Sequence, residues 1–331
     1  MNIDVVVMWV DGSDPEWIKE KKKYAPTTID DTNDVNRFRD WNLMKYWFRS
    51  IEKFIPWARN IIFVTWGHIP PFLKTDHPKL RIVRHDEFMP KDALPTFSSC
   101  AIELNLHRIK GLSEYFILFN DDMFITKKLP QSYFFKKGLP CTRYAEWPFK
   151  CGLETWSHNA SNDIFIINKH FNKKKQFRAN FFKYISFHYR WFDNLRTLFL
   201  NCMFPYYYSG FINLHQPAAY LKSTFRKVWS EEPELLLSTT HHRFRDKEDL
   251  NQWIMLWWQC ASGQFMPQKI NSMAFSTGST TINSICKAIQ KQSYDMICIN
   301  DTSDDTNFTN HRKKIENAFE RLLPQKSSFE L

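Results

Sequence analysis

The sequence predicts an α/β fold in which a mainly parallel sheet is flanked by helices, and three observations predict it. Short β-branched or aromatic runs recur without the polar alternation of a strand that faces water on one side. Helical patterns separate the first of these runs, and three runs end in acidic or amide loops.

In chain order, residues 5–10 form the first predicted strand. Asp40 is placed to cap a helix whose apolar face carries Met44, Trp47, Phe48, Ile51 and Phe54 and which stops before Pro56. Strands follow at 61–65 and 80–83. Ser98 or Ser99 can cap the next helix, with Ile102, Leu106 and Ile109 inward and Gly111 as the stop. Further strands are expected at 116–119, 163–167 and 296–299, and a closing helix at 310–323. Residues 181–200 and 250–258 read as helical, and the first of these is rich in aromatic and basic residues. The expected organisation is one catalytic domain, 1–331. Its α/β core comprises 1–170 and 280–331, interrupted by a helical, aromatic-rich insertion at 171–279.

Of the 331 residues 43% are hydrophobic and 17% aromatic, ample for a buried core and against disorder. No apolar run approaches the ~20 residues that cross a bilayer. The start Met1-Asn2-Ile3-Asp4 enters a strand pattern at once, without the features of a leader peptide, so a cytoplasmic protein is expected. Seven scattered cysteines, none in a Cys-x-x-Cys pair, argue against a disulfide framework or a zinc ribbon. With 8 glycines there is no Gly-x-Gly-x-x-Gly turn and no phosphate-binding Walker loop, which weakens dehydrogenase and P-loop readings. A net charge of +10 favours phosphates, anionic glycans or an anionic membrane face.

The acidic loops are Asp11-Gly12-Ser13-Asp14, Asn120-Asp121-Asp122 and Asn300-Asp301. Ligands of open α/β sheets bind outside the carboxyl ends of the strands, so these loops can converge on one crevice. Taken singly, such loops are ordinary turns. Asn120-Asp121-Asp122 differs because Met123-Phe124-Ile125 follows at once, setting two carboxylates inside an apolar segment where unpaired charge is costly. Hard oxygen ligands without a Cys/His cluster suit Mg²⁺ or Mn²⁺ held by Asp121 and Asp122 together with substrate phosphates. Arg37, Arg39 and Asp40 precede the first long helix, Glu103 and His107 are spaced i, i+4, His215 precedes Pro217, and Arg243 and Arg245 flank Phe244 with Asp249 beyond. Arginine pairs suit bidentate phosphate binding, and a histidine suits proton transfer.

At these residues the chain resembles the Stealth family, capsule and exopolysaccharide sugar-phosphate transferases that also include the animal lysosomal-enzyme N-acetylglucosamine-1-phosphotransferase. The first block is similar from Ile3 through Trp9-Val10-Asp11-Gly12-Ser13-Asp14-Pro15. The second runs from Arg37-Phe38-Arg39-Asp40 through Leu94-Pro95-Thr96-Phe97-Ser98-Ser99, Glu103 and His107 to Asn120-Asp121-Asp122. The third lies at His215-Gln216-Pro217 and His242-Arg243-Phe244-Arg245 with Asp249, and the fourth at Ile299-Asn300-Asp301 and around Leu323-Pro324. Two departures bear on donor and acceptor shape. Many members carry Asp-Gly where this chain has Trp66-Gly67-His68, and an amide followed by an acid where it has Trp41-Asn42-Leu43.

The resemblance implies a nucleotide-sugar-transferase-like fold. It also implies transfer of a hexose- or N-acetylhexosamine-1-phosphate from a nucleotide-sugar donor to a glycan acceptor, with Asp11, Asn120, Asp121, Asp122, His215, Arg243 and Arg245 in the catalytic crevice. Trp9, Gly12, Arg37, Arg39, Asp40, Glu103, His107, Asp249, Asn300 and Asp301 are the expected substrate-binding residues. His215 is the choice for general base, with Asp122 and Asp11 as competitors. The competing readings are a metal-dependent glycosyltransferase that releases nucleoside diphosphate and a basic module that binds nucleic acid or membrane. Acidic strand ends would repel nucleic-acid phosphates, so no nucleic-acid partner is expected. Peripheral association with the inner face of the membrane is compatible with the charge.

Overall fold

The computed structural model describes residues 1–25, 38–278, 280–301 and 307–331. In chain order the elements are β1 (Ile3–Met8), α1 (Pro15–Tyr24), α2 (Met44–Phe54), β2 (Ile61–Thr65), β3 (Leu80–Arg84), α3 (Ser99–Asn105), β4 (Tyr115–Asn120), β5 (Met123–Ile125), α4 (Gln131–Phe134), β6 (Phe135–Lys136) and β7 (Leu139–Thr142). The chain continues through α5 (Thr155–His170), α6 (Lys173–Ala179), α7 (Phe181–Tyr184), α8 (Trp191–Met203), β8 (Ala218–Leu221), α9 (Lys222–Glu231), α10 (Pro233–His241) and α11 (Trp253–Ala261). It closes with β9 (Met266–Pro267), β10 (Ser272–Ser276), α12 (Ile282–Gln290), β11 (Met296–Asn300) and α13 (Phe308–Leu322).

The main sheet has the order β3-β2-β1-β4-β8. Its first four strands are parallel and β8 runs antiparallel to β4. β1 lies in the middle, and its Val5, Val6 and Val7 are all fully buried because helices cover both faces. Ile3, Val5 and Val7 enter one core with Trp47, Phe48 and Ile51 of α2, Ile285 of α12 and Phe319 of α13. Val6 enters the other with Ile102 of α3, Ile167 of α5, Phe225 of α9 and Trp257 of α11. A second sheet, β10-β11-β5, adjoins the first because β4 and β5 are separated only by Asp121 and Asp122.

Residues 163–167, expected as a strand, are helical and belong to α5. Over a longer window the buried positions Thr155, Asn159, Ala160, Asp163, Ile164 and Ile167 follow a helical period, but half of them are polar. The apolar run seen alone therefore mimicked a buried strand. Residues 171–279 supply mainly helices, yet also β8 of the main sheet and β10 of the second. Asp40 does not cap α2, whose N-cap is Leu43; its Oδ1 accepts from the Asn42 amide at 2.7 Å. Gly111, with φ +79°, does turn the chain after the α3 segment.

Candidate active site

The crevice forms at the carboxyl ends of β1 and β4, where Met8 pairs with Asn120. After β1 the chain bends through Asp11, whose Oδ1 accepts from the Ser13 amide at 2.9 Å and the Ser13 hydroxyl at 2.6 Å. Asp14 caps α1 through the amides of Glu16 and Trp17, which holds its carboxyl below the usual range. Gly12 is required by close approach: a Cβ there would lie 1.9 Å from the Phe38 carbonyl oxygen. Trp9 is buried beside Phe63 and His68.

The Phe38 segment continues into Arg39, which forks onto Asp301 with Nε–Oδ2 at 2.7 Å and Nη2–Oδ1 at 2.6 Å. The Arg39 guanidinium also lies 4.2 Å from the ring centroid of Phe308. Arg39 and Asp301, both expected to bind substrate, thus hold each other and tie the start of α2 to the end of β11. Asn300 ends β11 with an exposed side chain, and its carbonyl accepts from Thr277. Arg37 lies outside the described residues.

Four carboxylates share the crevice. Asp121 reaches solvent but is surrounded by protein, as a residue on a crevice floor is; burial, then Asp122 and Asp40, push its pKa up to about 8. Asp40 is raised by burial and by the charge of Asp11. Asp122 is raised mainly by burial, with His215 opposing. Its Oδ2 accepts from the Cys298 thiol at 3.1 Å and lies 3.9 Å from His215 Nε2. Its Oδ1 is buried without a hydrogen-bond partner. His215 sits at φ +43°, an unusual conformation for a residue with a side chain, and its amide donates to Asn213 Oδ1.

Asp122, His215 and Cys298 present ligand atoms within 4.8 Å of one another, a grouping able to hold a metal ion. Within it the thiol is a proton donor pushed well above its ordinary pKa by burial and by Asp122, so the usable donors are oxygen and imidazole. An orphaned carboxylate oxygen, beside carboxylates whose pKa values are raised by burial and by neighbouring charge, fits a divalent cation, which would offset that charge.

A cavity of about 50 Å³ runs from Asn120 and His215 to Thr142, Arg143 and Gln252. A closed site for a drug-sized ligand occupies roughly 300 Å³ or more, so this space suits water and a larger substrate must lie in the open crevice.

A second group of expected residues gathers around the loop before α3. The Phe97 amide donates to the Arg243 carbonyl at 2.7 Å, and Phe97 stacks on Phe244. Phe97 also meets Trp17, which touches Phe38, so this group joins the first through the ring contacts behind Gly12. Arg245 donates to Ser99 Oγ at 2.5 Å and its charge favours ionisation of buried Glu103, whose pKa burial pushes up to about 8. The Arg243 guanidinium lies 4.6 Å from the Tyr24 ring centroid and its Nε is buried without a partner. Asp249 is buried; its Oδ1 lies 2.6 Å from His242 Nδ1 and its Oδ2 accepts from the Asp246 amide, so it shapes the loop that carries both arginines. His107 leaves the face of Glu103: it lies in a 3₁₀ turn, packs against Phe225 and Trp229, and burial drops its pKa to about 4.

His68 and Cys298 belong to the site and were missed in the sequence. His68 Nε2 accepts from the Asp11 amide at 2.8 Å, so the proton of the neutral ring is on Nδ1, 3.4 Å from Asp14. Burial lowers its pKa, which fits that neutral form. A histidine directly after the strand end at Thr65 was the available signal. Cys298 carried none, since a cysteine inside Met296–Asn300 reads as core.

An open, largely parallel α/β sheet with clustered carboxylates and a histidine beyond its strand ends defines an α/β protein whose ligand crevice, at those ends, has a grouping able to hold a cation. The comparisons carry this further. Residues 1–28, 37–141 and 287–331 match the family models of Stealth protein conserved regions 1, 2 and 4 respectively. The capsular polysaccharide phosphotransferase WcwK of Streptococcus pneumoniae is 40% identical over 99% of both chains. The exopolysaccharide phosphotransferase cps2G of Lactiplantibacillus plantarum is 36% identical, covering 99% of this chain and 96% of its own. The receptor polysaccharide phosphotransferase WefC of Streptococcus gordonii is 36% identical over 99% of both chains. The chain belongs to the Stealth family of polysaccharide phosphotransferases. Among solved structures, the galactosyltransferase LgtC aligns over 98% of both chains at 12% identity with a TM-score of 0.34, too loose a likeness to argue from.

Proposed function

We propose that this chain, acting as a single catalytic domain, transfers a hexose- or N-acetylhexosamine-1-phosphate from a nucleotide-sugar to a glycan hydroxyl, forming a phosphodiester in a surface polysaccharide. The observation that carries the reading is the pairing of Asp122 and His215 at 3.9 Å, inside a ring of carboxylates at the strand ends of a Stealth-family chain.

The acceptor oxygen attacks the phosphorus nearer the sugar, and the bond to the nucleoside monophosphate breaks. His215 takes the hydroxyl proton and Asp122 stabilises the imidazolium that forms, a contribution of about 10²–10⁴-fold, or about 3–5 kcal/mol of barrier. Asp11 is a weaker candidate for the base because two bonds from Ser13 occupy its Oδ1. Arg243 is the arginine left for a phosphoryl oxygen, since Arg245 is committed to Ser99 and faces Glu103. Asp121 and Asp122 are the residues to hold Mg²⁺ or Mn²⁺, hard ions suited to carboxylates and phosphates. When bound, the ion neutralises charge on the pyrophosphate. The enzyme works peripherally at the inner face of the membrane; among the described residues no helix is long and apolar enough to cross one.

The test is a panel of nucleotide-sugars with Mg²⁺ and an oligosaccharide acceptor, read by co-product and by ³¹P NMR. Nucleoside monophosphate together with a phosphodiester resonance is expected. Nucleoside diphosphate with a phosphorus-free product would replace this reading with glycosyl transfer.

A further inference from the structure

We infer that α8 and the segments flanking it form a docking surface for an anionic phospholipid membrane. The helix is inside out. Its buried residues are Asp193, Thr197 and Leu200, and Asp193 is held by the Arg143 guanidinium, with Nε at 2.9 Å from Oδ2. Its solvent side carries Trp191, Leu195, Phe199 and Met203 at successive intervals of four residues, one continuous stripe. Immediately upstream, Phe182 is 86% exposed and Phe187 fully so. Single exposed apolar residues are ordinary; a contiguous stripe is not.

Charge identifies the occupant. Between residues 171 and 208 the acidic residue is Asp193, already paired inside, and Lys173 is buried against Glu146 at 2.6 Å. Arg196 pairs with Asp193 and Lys183 donates to the Gly263 carbonyl, which leaves Lys174, Lys175, Arg178 and Arg190 exposed in the same stretch with no surface acid among them. Aromatic side chains interleaved with basic ones match the interface of an anionic bilayer, where rings settle at headgroup depth and each cation adds about fivefold to partitioning. A second copy of the chain would bring the same four cations against these. A glycan would need ring faces lining a groove rather than Leu195, Phe199 and Met203 on an outward helix. The inference goes beyond the proposed chemistry and does not depend on it, since binding is read without turnover.

The experiment is co-sedimentation of the full chain with phosphatidylcholine vesicles, with and without phosphatidylglycerol. Wild type should bind the anionic vesicles, lose at least tenfold on removal of phosphatidylglycerol, and weaken as salt rises. Trp191→Ser with Phe199→Ser, and separately Lys174→Gln, Lys175→Gln and Arg178→Gln together, should each weaken binding at least tenfold. Both should keep the wild-type melting temperature and turnover of a soluble acceptor. Wild type that stays in the supernatant, or folded variants that bind as wild type does, would overturn the assignment. A concentration-dependent dimer abolished by Trp191→Ser and Phe199→Ser would also overturn it, giving the stripe to a second copy.

Discussion

The fork of Arg39 onto Asp301 joins residues 262 positions apart, and its removal should loosen the crevice before it unfolds the protein. The two contacts are short and their side chains are only 22% and 14% exposed, so solvent competes weakly. A charge-assisted bond contributes about 1.5–3 kcal/mol, and truncating one partner also leaves the other charge part-buried and unpaired. Loss of the guanidinium from the Phe308 ring adds about 0.5–1 kcal/mol. Arg39→Ala should therefore cost about 2–4 kcal/mol, and a cycle of Arg39→Ala, Asp301→Ala and the double variant should give a coupling of about 1.5–3 kcal/mol by urea unfolding. Arg39→Lys should recover only part of this, since an ammonium cannot fork. If the pair acts by placing Asp40 beside the other carboxylates, kcat/KM of the charge-swapped protein (Arg39→Asp with Asp301→Arg) should recover along with stability. Coupling below about 0.5 kcal/mol would refute the strap. Recovered stability without recovered turnover would return Arg39 or Asp301 to direct substrate binding.

Gly12→Ala should displace the Phe38 backbone, cost about 1–3 kcal/mol and reduce turnover by more than its thermal shift suggests; unchanged kcat and melting temperature would show that the loop yields freely. Asp122→Asn should abolish most turnover and remove the stabilisation that Mg²⁺ gives the wild type in thermal melts, and a Mg²⁺-dependent shift that survives in this variant would take Asp122 out of the ion site. Glu103 has a folded pKa of about 8 against an ordinary 4.5, so the folded chain holds the extra proton. Its contribution is fully present below pH 4.5 and is lost as pH rises through 8, a change of a few kcal/mol. Glu103→Gln should accordingly flatten the fall in stability between those limits, and a pH profile parallel to wild type would show that Arg245 already compensates the charge.

What could be read in advance follows from how local each signal was. Runs such as Ile61–Thr65 and Met296–Asn300 declare themselves because both faces are buried, which leaves each strand apolar up to its last residue. Asp121 and Asp122 were legible for the opposite reason, as charge in an apolar context. Pairings were not. Arg39 and Asp301 were each recognised as important, but nothing local says that each is the other's partner. Glu103 and His107 illustrate the limit of periodicity: their spacing puts them on one helix face, but α3 ends at Asn105 and the following 3₁₀ turn swings His107 away to Trp229. The aromatic-basic stretch near 181–208 was visible, yet packed helices were the natural expectation. The reversal in α8 depends on Arg143 and Glu146 meeting it from outside the segment, through Asp193 and Thr197.

The position of the acidic turn has a topological cause. β4 belongs to the main sheet and β5 to the second, and the chain passes between them in two residues. Such a passage cannot bury both of its side chains in either core, so Asp121 and Asp122 stand where the sheets part, with the strand end of β1 on one side and β11 on the other. The Ile299 amide donates to the Asp122 carbonyl at 2.9 Å, which fixes that residue's backbone while its carboxylate remains available to Cys298 and His215. Arg39 and Asp301 fasten the same junction from the α2 side. The carboxylates are thus held close by backbone pairing in two sheets and by a strap between distant segments. That framework can supply the energy to keep like charges together, which is the condition under which a bound cation would relieve them.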